Sequence, residues 1–383
     1  MKILFLTAWY PTETNSGFGI FIKEHAKAIQ TAGNEIVVLA IVIHRGNDFW
    51  KKTIKDFVDE NGIRTILIEI TTRFRDIAYH AIPLQYWVIK RTFNKLQFNP
   101  DIVHSNVIFP VAIAGSWLAK KFKKPHIVTE HFTRVSEVLK IPLVSHWAKQ
   151  TYRKTVCILP VSNYLKENLI ELIPALKNHN FQVIPNVIDE KLFFHKEKEE
   201  NPDTIKLCSV AAWNKYKKPA KQPELFIDAV SVLQKEINKK IMLIMVGGGN
   251  KLEELKKRCH EKNVNAIFTG YLNKKEIAKK LHEADFFVHP TLIETFGVVV
   301  AEALLTGTPV ICSNVGALPE LVCNNVNGIL CENTVEDWVN GIKQAFAANF
   351  DNQKIASEMR NRFSYEIIGK QIGDVYGKLT EGL

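Results

Sequence analysis

The residues best suited to chemistry lie between His289 and Val310. Two carboxylates, Glu294 and Glu302, bracket the short stretch Thr295-Phe296-Gly297-Val298, and Gly307-Thr308-Pro309 follows. His289-Pro290 reads as a strand end, the residues after Phe296-Gly297 as a helix, and Gly307 as its stop. Unpaired N–H groups at such a helix start form an anion site suited to a diphosphate. Gly297 would let the backbone approach that ligand closely. Carboxylates before and within the helix can accept hydrogen bonds from sugar hydroxyls. The bland alternative is a solvated helix N-terminus that favours acidic residues. A glycosidase pair is a third reading, and it needs carboxyls about 5–9.5 Å apart. Eight helical residues rise about 12 Å, so the spacing suits gripping two ends of an extended ligand better than cleaving one bond.

Elements that hold these residues recur along the whole chain. Short β-branched runs at 3–6, 35–41, 65–70, 102–104, 126–129 and 157–160 read as strands, and so do runs at 206–210, 241–246, 266–268, 286–289, 310–312 and 328–330. Most are continuously apolar, as expected for strands covered on both faces. Amphipathic stretches such as 20–32, 223–236 and 252–262 lie between them. This alternation predicts doubly wound α/β sheets. The charged stretch 195–203, HKEKEENPD, carries no apolar face and a fresh strand follows it. It is the predicted linker between two Rossmann-like domains, 1–195 and 196–360, that face a central cleft. Residues 361–383 are a predicted C-terminal helix returning toward the first domain. Ligands in such folds bind at the carboxyl ends of strands.

The composition agrees with a globular chain. Of 383 residues, 46% are hydrophobic and 23% charged, which excludes disordered, collagen-like and coiled-coil classes. The longest apolar run, 36–43, has eight residues. A spanning helix needs about 20, so no membrane span is expected, and the first residues read as a strand rather than a signal peptide. The six cysteines form no C-x-x-C pair and read as buried thiols in a reducing, cytoplasmic setting. The net charge is +10, from 50 Lys+Arg and 40 Asp+Glu. Residues 1–195 hold 25 of those basic and 16 of those acidic residues, and 196–383 hold 25 and 24. The excess therefore belongs to the first half.

The ordered set of motifs resembles the retaining family 4 glycosyltransferases of the GT-B fold. Glu294 to Glu302, Gly307-Thr308-Pro309-Val310 and Asn314-Val315-Gly316-Ala317-Leu318-Pro319-Glu320 carry most of it. Met245-Val246-Gly247-Gly248-Gly249, Gly17-Phe18-Gly19, Thr129-Glu130-His131 and Val161-Ser162-Asn163 extend it across the chain. The resemblance implies transfer of a sugar from a nucleotide diphosphate-sugar to an acceptor hydroxyl, in surface polysaccharide or glycolipid assembly. It implies that Glu302 holds the ribose hydroxyls and Glu294 the donor sugar. Donor binding would run through Thr295, Phe296, Gly297 and Val298, with backbone amides around the last three on the diphosphate. Gly17 and Gly19 would form a loop facing the phosphates, His131 would lie near the donor sugar, and Glu130 carries a weaker expectation of a role. Lys221 takes the family's lysine position. The expected catalytic set is thus Glu294, His131 and Lys221.

One departure stands out. The family arginine position falls near Ala212, in a longer loop, and Lys215, Lys217 or Lys218 would have to supply the second cation as a point charge. Loss of turnover, leaving a sugar-nucleotide-binding protein, is the corresponding alternative, and a nucleotide-sugar epimerase of the same fold is another. No D-x-D triplet occurs, so no metal is expected; lysine and helix amides would neutralise the diphosphate. Gly247-Gly248-Gly249 is not G-x-G-x-x-G, which disfavours a nicotinamide enzyme. The basic first half interleaves aromatics at Arg73-Phe74-Arg75 and at Tyr86 to Lys95, with Lys120, Lys121, Lys123 and Lys124 beyond. These suit solvated lysines over a core helix, or a peripheral contact with the inner face of a membrane that carries a lipid-linked or glycan acceptor. No nucleic-acid motif is present, and no nucleic-acid partner is expected.

Overall fold

A computed structural model describes residues 1–15, 17–73, 82–198, 203–215 and 220–380. They divide into two compact units, Met1–Val187 with Tyr365–Leu383, and Ile188–Ser364. The division falls before the charged 195–203 stretch, of which 199–202 lie outside the described residues. The physical reason is local. Ile188 N–H donates to Phe363 O at 2.9 Å, and Phe193 is fully buried, so the chain already belongs to the second unit there.

In the first unit the described strands are β1 (Lys2–Thr7), β2 (Glu35–Arg45), β3 (Lys51–Val58), β4 (Arg64–Thr72), β5 (Ile102–Asn106), β6 (His126–Glu130) and β7 (Cys157–Pro160). Their order is β3-β4-β2-β1-β5-β6-β7. All pairs are parallel except β3 with β4. Strand period explains the continuous apolar runs. Ile3 and Phe5 of β1 point into one core cluster, and Leu4 and Leu6 into another on the opposite face. Truncating any of these four to Ala would cost about 2–5 kcal/mol. The helices include α1 (Ile20–Thr31), α2 (Ile82–Phe93), α3 (Ile113–Phe122), α4 (Pro142–Lys154) and α5 (Asn163–Leu172). A C-terminal helix, Tyr365–Thr380, packs against α1, and its Tyr376 hydroxyl meets buried His104 Nδ1 at 2.6 Å.

The second unit is built on β8 (Thr204–Val210), β9 (Lys240–Val246), β10 (Asn265–Gly270), β11 (Phe286–His289), β12 (Val310–Ser313) and β13 (Gly328–Cys331). The order is β10-β9-β8-β11-β12-β13, all parallel. Its helices include α6 (Pro223–Leu233), α7 (Leu252–Glu261), α8 (Lys274–Glu283), α9 (Val298–Leu305), α10 (Val335–Ala347) and α11 (Asn352–Phe363). The core gathers Leu207, Leu243, Met245, Val288, Ile311 and Trp338 from both layers. No helix among the described residues is long and apolar enough to cross a membrane.

Candidate active site

The second unit gathers its chemistry at the carboxyl ends of β11 and β12. Lys221 lies just before α6, and its backbone is zipped onto the segment that leaves β11. Lys221 forms an antiparallel bridge with Thr291, Gln222 N–H donates to Pro290 O at 3.1 Å, and Leu292 N–H donates to Ala220 O at 2.7 Å. Thr291 is fixed in turn by Ser313 Oγ at 2.9 Å and Asn333 Nδ2 at 3.1 Å. These bonds set the Lys221 side chain beside two acceptors. Its ammonium donates to Glu294 Oε2 at 2.8 Å and to His289 Nε2 at 2.8 Å. The two acceptor atoms lie 3.3 Å apart, bridged by the ammonium.

The electrostatics follow from this triangle. His289 is 1% exposed, and burial followed by the Lys221 charge brings its ring down to about 4. It is therefore neutral at pH 7, with Nε2 free to accept from Lys221. Burial works against ionisation of Glu294, but the Lys221 ammonium outweighs it and holds the carboxyl well below the usual carboxylate range. The pair keeps access to solvent, at 27% for Lys221 and 19% for Glu294. A ligand can therefore reach both groups.

The backbone of Glu294 is gripped from below. Ala317 N–H donates to Glu294 O at 3.0 Å. Gly316 has φ +58°, and a Cβ built there would lie 2.2 Å from the same carbonyl. Only glycine allows this approach. The Asn314-to-Glu320 motif thus positions the carboxylate of Glu294 through its main chain. Thr295 N–H donates to Glu294 Oε1 at 3.2 Å. Gly297 then starts α9 with φ +96°. Among the described residues no protein acceptor takes the N–H of Phe296, Gly297, Val298 or Val299. These are the free donors expected at a helix start. Phe296 itself is buried edge-on against Phe363 at 5.5 Å, so its contribution is its backbone. Glu302 lies within α9 and is 6% exposed.

Other expected residues lie in the first unit. Gly19 caps α1 with φ +70°, and a Cβ there would lie 2.4 Å from the Trp9 carbonyl. Gly17 has open space around it. His131 follows β6, 6% exposed, with Nε2 3.4 Å from Asn106 Oδ1 and its ring 5.0 Å from that of Phe21. Burial, with His25 adding repulsion, holds it well below the ordinary histidine value. Glu130 is spoken for structurally. It accepts from the N–H groups of Ile108, His131 and Phe132 and from the Tyr152 hydroxyl, at 2.6–3.0 Å.

Two sequence questions receive answers. Lys215 pairs with Glu254 at 2.7 Å and is not a member of the Lys221–Glu294 cluster, while Lys217 and Lys218 lie outside the described residues. Gly247-Gly248-Gly249 wraps Trp213, whose backbone N–H donates to Gly248 O at 2.8 Å. Those glycines serve the packing of the loop after β9. His289 was not among the expected site residues. Its signal was a polar side chain at the carboxyl end of a buried strand.

Parallel α/β units with this site describe a GT-B glycosyltransferase. Residues 190–368 match the family model for glycosyl transferases group 1, and residues 15–192 match that for glycosyltransferase family 4. The chain belongs to this family. An uncharacterized glycosyltransferase of Methanocaldococcus jannaschii is 26% identical, over 85% of this chain and 89% of the relative. The alpha-monoglucosyldiacylglycerol synthase of Streptococcus pneumoniae is 25% identical, over 85% of this chain and 80% of the relative. Anabaena HepE, solved in complex with UDP and glucose, is similar in fold, with a TM-score of 0.71 at 18% identity over 99% of this chain and 100% of that one.

Proposed function

We propose that this glycosyltransferase transfers a hexose, with retention of configuration, from a nucleotide diphosphate-sugar to an acceptor hydroxyl. The observation that carries the reading is the Lys221–Glu294 pair beside the free amides of Phe296 to Val299. Glu294 would accept hydrogen bonds from the donor sugar and Glu302 from the ribose. Lys221 and the amides would take the diphosphate, where negative charge grows as it leaves. Gly17 and Gly19 would face the phosphates and His131 would hydrogen-bond the sugar. These cations and dipoles would supply the neutralisation without a metal.

The reaction breaks the bond between the anomeric carbon and the diphosphate oxygen. The acceptor oxygen bonds to the same face of that carbon, and its proton passes to the departing phosphate oxygen. No side-chain base is required. The decisive experiment is to supply donor with and without acceptor and read the product by NMR. Retained anomeric configuration in a transferred sugar supports the reading. An altered sugar without acceptor would indicate an epimerase, and nucleotide binding with no product would indicate a protein without turnover.

For the acceptor we infer a glycan or lipid-linked molecule at the cytoplasmic face of a membrane. The glycolipid-forming S. pneumoniae relative supports this, and so does a basic belt on the first unit. Lys121 on α3 sits beside Lys90 on α2 and holds it below its ordinary value, and Arg91 stacks 5.3 Å from the half-exposed Trp87 ring. Residues 74–81 of this stretch lie outside the described residues. Sedimentation with anionic liposomes should be strong at low salt and weaken at high salt. Equal binding at both would refute the electrostatic contact.

A further inference from the structure

A lysine-lined cavity lies at the opposite end of β11 from Glu294. Lys206 of β8 and Asp285, just before β11, floor a cavity of about 630 Å³ within the second unit. Asp285 and His289 are separated by four residues of strand, about 13 Å, so this cavity and the Lys221 cluster are distinct. Its volume falls in the range of small-molecule sites.

The walls are built rather than incidental. One is segment 192–198, which leads into β8. Half-buried Lys198 Nζ donates to Ala284 O at 2.6 Å and to Thr308 Oγ1 at 2.8 Å. The other wall is α8, with Lys275, Lys279 and His282 on one face. His282 Nε2 donates to Phe194 O at 2.6 Å, which ties the walls together, and Lys196 lies 4.9 Å over the Phe194 ring.

The charge in the cavity is unbalanced. Five lysines line it against three carboxylates, and two of those carboxylates are engaged. Glu283 pairs with Lys280, which is not a lining residue, at 2.7 Å, and Asp285 accepts the Lys206 N–H at 2.7 Å. None of the ion pairs among the described residues includes Lys206, Lys275 or Lys279. Burial brings Lys198 down to about 8 although Asp285 is near. An added anion would stabilise that ammonium. Lysines on the floor and both walls, acting as point charges, match a multiply charged oxyanion better than a single planar carboxylate.

We propose that this cavity binds a small phosphate-bearing anion of the diphosphate class, held by Lys206, Lys275 and Lys279 and clamped between segment 192–198 and α8. The test is calorimetric titration of the full chain with inorganic pyrophosphate. In a Lys221→Ala background, which weakens the donor site, pyrophosphate should still bind at one equivalent. Adding Lys275→Ala and Lys279→Ala, both exposed helix positions, should weaken that binding at least tenfold. A control pair, Lys256→Ala with Lys257→Ala on α7, should leave it within twofold. Binding that survives the α8 substitutions, or falls equally with the control, would overturn the proposal. Because the readout is pyrophosphate binding without transfer, its outcome is independent of the proposed reaction.

Discussion

Replacing His289 by Gln tests the buried triangle quantitatively. Gln keeps an acceptor near the Nε2 position for Lys221 but cannot titrate. In the wild type the ring is brought from an ordinary 6.5 to about 4. The unfolded chain therefore takes up a proton as pH falls below 6.5, and the folded chain does not until about 4. Stability from this group is fully present above 6.5 and is lost as pH falls toward 4. A shift of this size corresponds to about 3 kcal/mol. Urea unfolding at pH 7.5, 6, 5 and 4.5, followed by tryptophan fluorescence, should show the wild type losing most of that amount relative to His289→Gln. Other buried histidines, such as His25 and His126, titrate alike in both proteins, so the difference isolates His289. Profiles that run parallel across this window would refute the assignment of a neutral, buried His289 beside Lys221.

Three further substitutions test the proposed donor-binding roles. Lys221→Met should lower kcat/KM by about 10²–10³, the usual cost of removing one group that stabilises leaving charge, and steady-state kinetics measure it. Gly316→Ala forces a Cβ against the Glu294 carbonyl at positive φ, and should cost roughly 2–4 kcal/mol together with turnover, read by thermal melting and assay. Gly17→Ala meets nothing within 4 Å, so its melting temperature should match wild type while donor KM rises. An unchanged KM would remove Gly17 from the donor site.

Much of this architecture is legible in the residues. Parallel strands buried on both faces are continuous apolar runs, so β1, β2, β9 and β11 announce themselves. β3 does not. Its sequence KKTIKDFV is mostly exposed, pairs antiparallel at the sheet edge, and carries lysines that blunt that edge. The meeting of Lys221 with Glu294 could be anticipated, Glu294 from its motif and Lys221 from its place just before a helix. His289 was hidden because one polar residue closing an apolar strand looks like a boundary. Gly316 was visible in the motif, but its contact with the Glu294 carbonyl depends on two loops brought together by β11 and β12. The division between the units falls ahead of the charged stretch because Ile188 N–H already bonds Phe363 O and Phe193 is fully buried, which no local charge pattern reveals.

The central claim is that Glu294 and Glu302 hold the donor for transfer. The most direct measurement is the transfer rate of Glu294→Ala and Glu302→Ala, each checked for a native circular dichroism spectrum. The account predicts loss of at least about 100-fold in both, the scale of removing a group that binds the transition state. Wild-type turnover in both folded variants would contradict it.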